Sequence, residues 1–144
     1  MEESSRPNRG FSLIELLIVM VIIGMLAALV GPRFWGQTDK ARQRSAKAQI
    51  TNFETALDVY RLDTGRYPDG DQGLKALRTR PAGAGKWDGP YLPKEIPADP
   101  WGNPYEYRMP GEHGEYDILS YGADGQPGGE GNDMDIVSWK DLEG

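Results

Sequence analysis

The chain has 144 residues, a formal charge of −6 at pH 7 and no cysteine. That length supports one domain with a small core, once an apolar N-terminal stretch is set aside. A disulfide framework, a thiolate metal site and a cysteine nucleophile are excluded, and the acidic balance does not suggest nucleic-acid binding.

From the N-terminus, residues 16–30 carry no charge. With residues 11–15 they form a segment of about 20 residues, about 30 Å as a helix, long enough to span a bilayer core. Arg6 and Arg9 precede it and predict a cytoplasmic N-terminus, although Arg33 follows it. A secretory signal has a shorter apolar core, so Ala27-Ala28 does not read as a cleavage site. A plain signal anchor accounts for the hydrophobicity but not for Glu15, because a carboxylate within a span is costly and normally has a partner. Cleavage after Gly10 would make one. Phe11 would then carry an α-ammonium group, and this group on one subunit and Glu15 on its neighbour would neutralise each other in a low-dielectric bundle.

The stretch "RGFSLIELLIVMVIIGMLAALVGPRF" resembles the class III signal and N-terminal helix of type IV pilins and pseudopilins. The likeness rests on Gly10, Phe11, Glu15, the uninterrupted apolar run, and Pro32 after Gly31. It implies cleavage between Gly10 and Phe11 by a prepilin peptidase, N-methylation of Phe11, and a helical filament with these segments at its centre.

Helical periodicity continues beyond the apolar run. Ile50, Phe53, Leu57 and Tyr60 are spaced 3, 4 and 3 residues apart, one apolar stripe. This predicts nearly one helix over residues 12–63, with a kink or local break at Gly31-Pro32 and a left-handed cap at Gly65. About two turns of pattern are too few for a coiled coil, so the stripe is expected to cover a small sheet. Residues 33–61 hold six basic and three acidic side chains, whereas residues 99–144 hold two basic and eleven acidic ones. A basic stem and an acidic head read either as head-to-stem contacts between copies or as solvated charge.

Residues 66–100 are rich in Gly and Pro, and "DQGLKALRTRP" predicts a short helix over residues 72–78, ended before Pro81. "NPYEYRM", "EYDILSY" and "DIVSW" predict three short strands, with "PGEHG" as the turn between the first two. The fold class is therefore α+β: a long N-terminal helix packed on a three-stranded antiparallel sheet. His113, the only histidine, falls in the turn and reads as a solvent-exposed residue, since nothing around it forms a nucleophile or an acid–base pair.

A second, narrower resemblance covers the head. "GRYPDGDQGLKAL", "GPYL", "ADPWGNPYEYRMPGEHGEYDILSYGADGQPGGEGNDMDI" and the following Trp139 are similar to the major pseudopilins of type II secretion systems. Type IVa pilins, whose heads usually close with a disulfide loop, are disfavoured by the missing cysteines.

The loop "YGADGQPGGEGNDMDI", residues 121–136, contains Asp124, Glu130, Asp133 and Asp135 with five glycines. Ca²⁺ takes six to eight oxygens from carboxylates and carbonyls, and glycines let carbonyls turn inward. From composition alone, a solvated acidic turn and a calcium loop stand equally open. An EF-hand is not indicated: with Asp124 at position 1, Gly128 falls at position 5, where a side-chain oxygen is needed, and the flanks read as strands. The resemblance implies one Ca²⁺ here, held by Asp124, Asp135 and Asp133, with the carbonyls of Tyr121 and Gln126 as further ligands. Met134 stands where some relatives have an aspartate, which puts Asp133 behind the other two.

The resemblance further implies a non-enzymatic structural subunit with three parts: a cleaved leader (1–10), a transmembrane and filament-core helix (11–34), and a periplasmic head (35–144). It implies a bacterial inner-membrane precursor that becomes a periplasmic pseudopilus driving export of folded proteins. Implied partners are other copies of the chain, minor pseudopilins, the inner-membrane assembly platform and the peptidase/methylase; none is a nucleic acid. The alternatives are another type IV pilus-like filament and, more distantly, a membrane-anchored calcium-dependent enzyme.

Overall fold

The computed structural model describes residues 9–142. Arg6 and the first eight positions of the expected leader lie outside the described residues. The chain divides after Gln37 into two compact units. Helix α1, Leu13–Thr64, runs through both, within one residue of the bounds read from periodicity.

In the first unit, α1 is apolar on every side and no part of its apolar stretch is covered by protein. Such a helix requires a lipid or protein environment. Of the kink or local break expected at Gly31-Pro32, a break is absent: the helix continues with Pro32 inside it. Pro32 forfeits one N–H and its bond to the Ala28 carbonyl, and the turns on either side stay helical across that missing rung.

In the second unit, α1 has one apolar face. Ala46, Ile50, Phe53, Leu57 and Tyr60 are buried along it and share one core with Tyr67, Leu74, Leu77, Ile118 and Ile136. Phe53 meets the Tyr105 ring edge-on, with centroids 5.1 Å apart. Gly65 ends the helix at φ +84°, its amide donating to the Arg61 carbonyl at 2.7 Å. The short helix expected over 72–78 is a 3-10 turn, Gly73–Leu77, whose first residue has φ +60° and cannot belong to an α-helix.

The sheet has order β1-β2-β3: β1 (Glu106–Arg108), β2 (Asp117–Ser120) and β3 (Ile136–Val137), all antiparallel. Tyr107 pairs with Ile118, and Ser120 with Ile136. The strands are shorter than their β-rich runs. Pro104 and Pro110 flank β1 and have no ladder N–H to give. After β3, Ser138 extends the pairing by other means: its amide donates to the Ile118 carbonyl at 2.9 Å and its hydroxyl accepts the Ile118 amide at 3.1 Å.

The expected turn between β1 and β2 is organised by a carboxylate. Asp117 is fully buried and accepts from the amides of Glu112 (2.9 Å) and His113 (3.3 Å). The His113 ring is exposed, as expected, but not without partners: its Nδ1 lies 3.1 Å from Asp117 and the ring stacks on Trp139 at 3.8 Å. Burial alone would raise the Asp117 carboxyl, but the hydrogen bonds from the His113 ring and the two amides outweigh it and hold the group below its ordinary 3.8. A carboxyl depressed by folding contributes stability above its ordinary value and loses it as pH falls through the folded one. Stability is therefore expected to drop below about pH 4. Asp117→Asn should flatten that acid limb while lowering stability at neutral pH. Urea unfolding of both proteins across the acid range reads this directly, and parallel pH profiles would contradict it.

Candidate functional site

Two regions carry the residues singled out in the sequence. At the N-terminus, residues 9–12 are non-helical, so the Gly10–Phe11 bond lies in irregular chain two residues before α1. A Cβ on Gly10 would meet nothing within 4 Å, and Phe11 is 83% exposed. Among the described residues, nothing of its own unit crowds the Gly10–Phe11 bond. Glu15 has an intrachain role that its apolar surroundings did not advertise. Its carboxylate accepts the Ser12 amide at 3.2 Å, and the Ser12 hydroxyl accepts the Glu15 amide at 3.3 Å. This reciprocal capping box fixes the first turn of α1 and holds a negative charge at the positive end of the helix dipole. The Ser-x-x-Glu spacing is the sequence signal for it.

At the other end of the chain, the loop of residues 121–136 connects β2 to β3 and folds back on itself. The Ala123 amide donates to the Asn132 carbonyl at 3.0 Å, and Gly131–Asp133 forms a 3-10 turn. Gly122 (φ +67°) and Gly129 (φ +95°) make this possible. A Cβ on Gly122 would lie 2.8 Å from the Met134 carbonyl oxygen, and one on Gly129 2.6 Å from that of Asp133. Asp124 accepts the Gln126 amide at 3.1 Å in a local turn. One Asp135 carboxylate oxygen accepts the Gly128 amide at 2.9 Å; the other is buried without a hydrogen-bond partner. The Tyr121 phenol oxygen accepts from Arg108 at 2.8 Å.

No three His, Cys, Asp or Glu side chains among the described residues converge closely enough to hold a metal by themselves. Asp124, Asp133 and Asp135 thus share a folded loop without forming one carboxylate cluster. A hard cation would draw part of its shell from backbone carbonyls, and the bare buried oxygen of Asp135 is an acceptor of the kind such an ion satisfies. The donor set is all oxygen, and it fits calcium in kind. The flanks are strands, as expected, not the helices of an EF-hand.

Neighbouring segments grip this loop through residues that carry no metal-ligand pattern of their own. Asp99 is buried at 4% exposure and accepts the amides of Trp101 (3.1 Å) and Asn103 (2.8 Å) and the Ser120 hydroxyl (2.6 Å). The turn so built reaches the loop through Trp101 Nε1 to the Asn132 side chain (2.8 Å) and Asn103 Nδ2 to the Gly122 carbonyl (3.2 Å). "DPWGN" is the available sequence signal, an aspartate poised to bond amides ahead of it. From α1, Gln43 donates to the Gly131 carbonyl at 2.5 Å. Lys47 donates to the carbonyls of Val137 (2.8 Å), Ser138 (3.3 Å) and Lys140 (2.8 Å).

Comparison with known proteins agrees with this architecture. Residues 33–139 match the family described as type II secretion system (T2SS), protein G, and residues 5–31 match the prokaryotic N-terminal methylation motif. Type II secretion system core protein G of Pseudomonas aeruginosa is 46% identical over 137 residues, covering 93% of this chain and 96% of that protein. The protein of that name from Vibrio cholerae is 46% identical over 137 residues, 93% of each chain. The crystal structure of the major pseudopilin from the type 2 secretion system of enterohaemorrhagic Escherichia coli superposes with a TM-score of 0.61 at 38% identity, covering 72% of this chain and 87% of that one. A methylation-motif helix leading into a head matched along residues 33–139 leaves one assignment: the chain belongs to the protein G family of type II secretion systems, whose members are pseudopilin subunits of the pseudopilus.

Proposed function

We propose that this pseudopilin is made as a single-pass precursor of the bacterial inner membrane, with a cytoplasmic N-terminus, and is cut between Gly10 and Phe11 and methylated on Phe11. Residues 1–10 are then the leader, 11–34 the membrane and filament-core segment, and 35–144 the periplasmic head. The mature chains polymerise into a helical homo-oligomer, together with minor pseudopilins and on the inner-membrane assembly platform, and the periplasmic filament drives folded proteins outward. The chain is a substrate of the peptidase/methylase and not itself an enzyme. The observation that carries this reading is an α-helix apolar on every side, directly behind an open Gly10–Phe11 bond. Mass analysis of the N-terminus is expected to give a chain starting at methylated Phe11. A bulky residue at position 10 should block processing, and a mature chain starting at Met1 or after Ala28 would refute the assignment.

Glu15 has two successive tasks in this scheme. In the precursor it caps the first turn through Ser12. After cleavage the Phe11 ammonium of a neighbouring subunit supplies a cation, and the pair is neutral in the apolar filament core. Glu15→Leu should insert at least as readily as the parent, since a charge has been removed from an apolar span. Filament assembly, scored by sheared-filament yield and secretion, should fail or fall sharply. Normal assembly of the Leu variant would sink the pairing.

The loop of residues 121–136 is proposed to hold one Ca²⁺, with carboxylate oxygens of Asp124, Asp133 and Asp135 and carbonyls of Tyr121 and Gln126. The support is the buried, unpartnered oxygen of Asp135 and the inward-folded, glycine-rich backbone. The ion would supply the positive charge that lets these oxygens approach one another in a head without a disulfide. Binding to the folded state alone stabilises it by about 2.7 kcal/mol at a hundredfold excess over the dissociation constant. The protein is therefore expected to melt higher in Ca²⁺ than in EGTA. Asp124→Ala and Asp135→Ala should abolish most of that difference, and Mg²⁺ should replace Ca²⁺ poorly because it demands a tighter octahedral shell. Superimposable melts in the two solutions would leave the loop an acidic turn.

A further inference from the structure

The Gly131–Asp133 turn precedes Asp135 and contains Asp133, so its placement sets both late carboxylates of the loop. Two segments outside the loop hold it. Trp101 Nε1 donates to Asn132 Oδ1 at 2.8 Å, and Gln43 Nε2 donates to the neighbouring Gly131 carbonyl at 2.5 Å. The backbone of Trp101 is anchored outside the loop. Its amide is fixed by Asp99, which is buried and anchored to Ser120 at the end of β2. The same turn also reaches the start of the loop, where Asn103 holds the Gly122 carbonyl. One rigid turn therefore holds the loop where it leaves β2 and again on its returning limb.

We infer that Trp101 is a positioning residue for cation binding: its indole N–H fixes Asn132 and so presets Asp133 and Asp135 before any ion arrives. The inference rests on the calcium reading of the loop and adds to it a residue that touches no ion. The physical ground is preorganisation. If the returning limb were loose, the free energy of ordering it would be subtracted from every binding event; held beforehand, it is not. Groups that orient metal ligands typically change affinity about 10- to 100-fold when removed. A purely packing role for the indole is distinguishable, because loss of packing lowers stability with and without the ion, while loss of orientation lowers affinity.

The full chain in detergent is titrated with CaCl₂ by calorimetry and melted in EGTA, as the parent, as Trp101→Phe, as Asn132→Ala and as the double variant. Phenylalanine keeps an aromatic ring and deletes the N–H; alanine deletes the acceptor from the other side. Each single variant is expected to bind Ca²⁺ about 10- to 100-fold more weakly, with the double variant no weaker than the worse single one, as members of one hydrogen bond behave. Their melts in EGTA should lie close to the parent's. Asn132→Ala, at a half-exposed position, keeps the comparison available if Trp101→Phe folds poorly. Unchanged affinity in the single variants, or losses that add in the double, overturns the positioning role while the parent's calcium heat stands. A parent that takes up no Ca²⁺ overturns both readings together.

Discussion

Burial of Ala46, Ile50, Phe53, Leu57 and Tyr60 along one side of α1 is the contact on which the rest of the head depends. Strands of three, four and two residues cannot enclose a core of their own, and a small isolated sheet is marginal in water. Each large side chain on the stripe contributes on the order of 1.5–3 kcal/mol by leaving water. The 3-10 turn brings Leu74 and Leu77 to this surface, β2 brings Ile118 and β3 brings Ile136. Further toward the N-terminus, the same helix loses its one-sided pattern and becomes apolar all round. A single element thus carries two surface patterns, apolar all round in the first unit and apolar on one face in the second.

Without cysteines, the irregular chain between these elements is held by polar centres. Asp117 organises the turn before β2, Asp99 organises the turn before β1, and Lys47 gathers three carbonyls of the C-terminal segment. Hydrogen bonds to charged groups contribute about 1.5–3 kcal/mol net, and a buried partner left unpaired costs a similar amount. Each centre therefore fixes several backbone groups that no ladder satisfies. The acidic loop hangs between two of these centres, which is why it has a defined path although only Met134, partly buried, and Ile136 at its end pack on the core.

The charge asymmetry takes a more specific meaning. Of the six basic side chains counted in the stem, Lys47 is consumed by carbonyls of its own chain, and Arg61 pairs with Glu115 at 2.8 Å. That pair is half exposed and contributes little to stability. Lys40, Arg42 and Arg44 remain exposed, on the part of α1 nearest the apolar segment. Among the described side chains, these three are stem cations that stay exposed, in contrast to Lys47 and Arg61.

The sequence by itself determined whatever is written in neighbouring residues: the bounds of α1 from its apolar spacing, its end at Gly65, three β-rich runs in their order, the position of the acidic loop, and the unusual placement of Glu15. These are local or periodic signals, and a helix or turn forms from them with little help. Tertiary structure decided the rest. Strand lengths depended on which N–H groups found partners across the sheet, and Ser138 substituted a hydroxyl where a ladder acceptor was missing. The helix crossed Pro32 because one lost bond did not outweigh the turns around it. His113, exposed as its turn position implies, gained partners in Asp117 and Trp139 that no local pattern marks. Gln43 and Lys47 met carbonyls 88 to 93 residues away, and Trp101 met Asn132 across 31. No spacing rule encodes such pairs, since a donor and an acceptor so far apart come together only when the core between them has already fixed the distance.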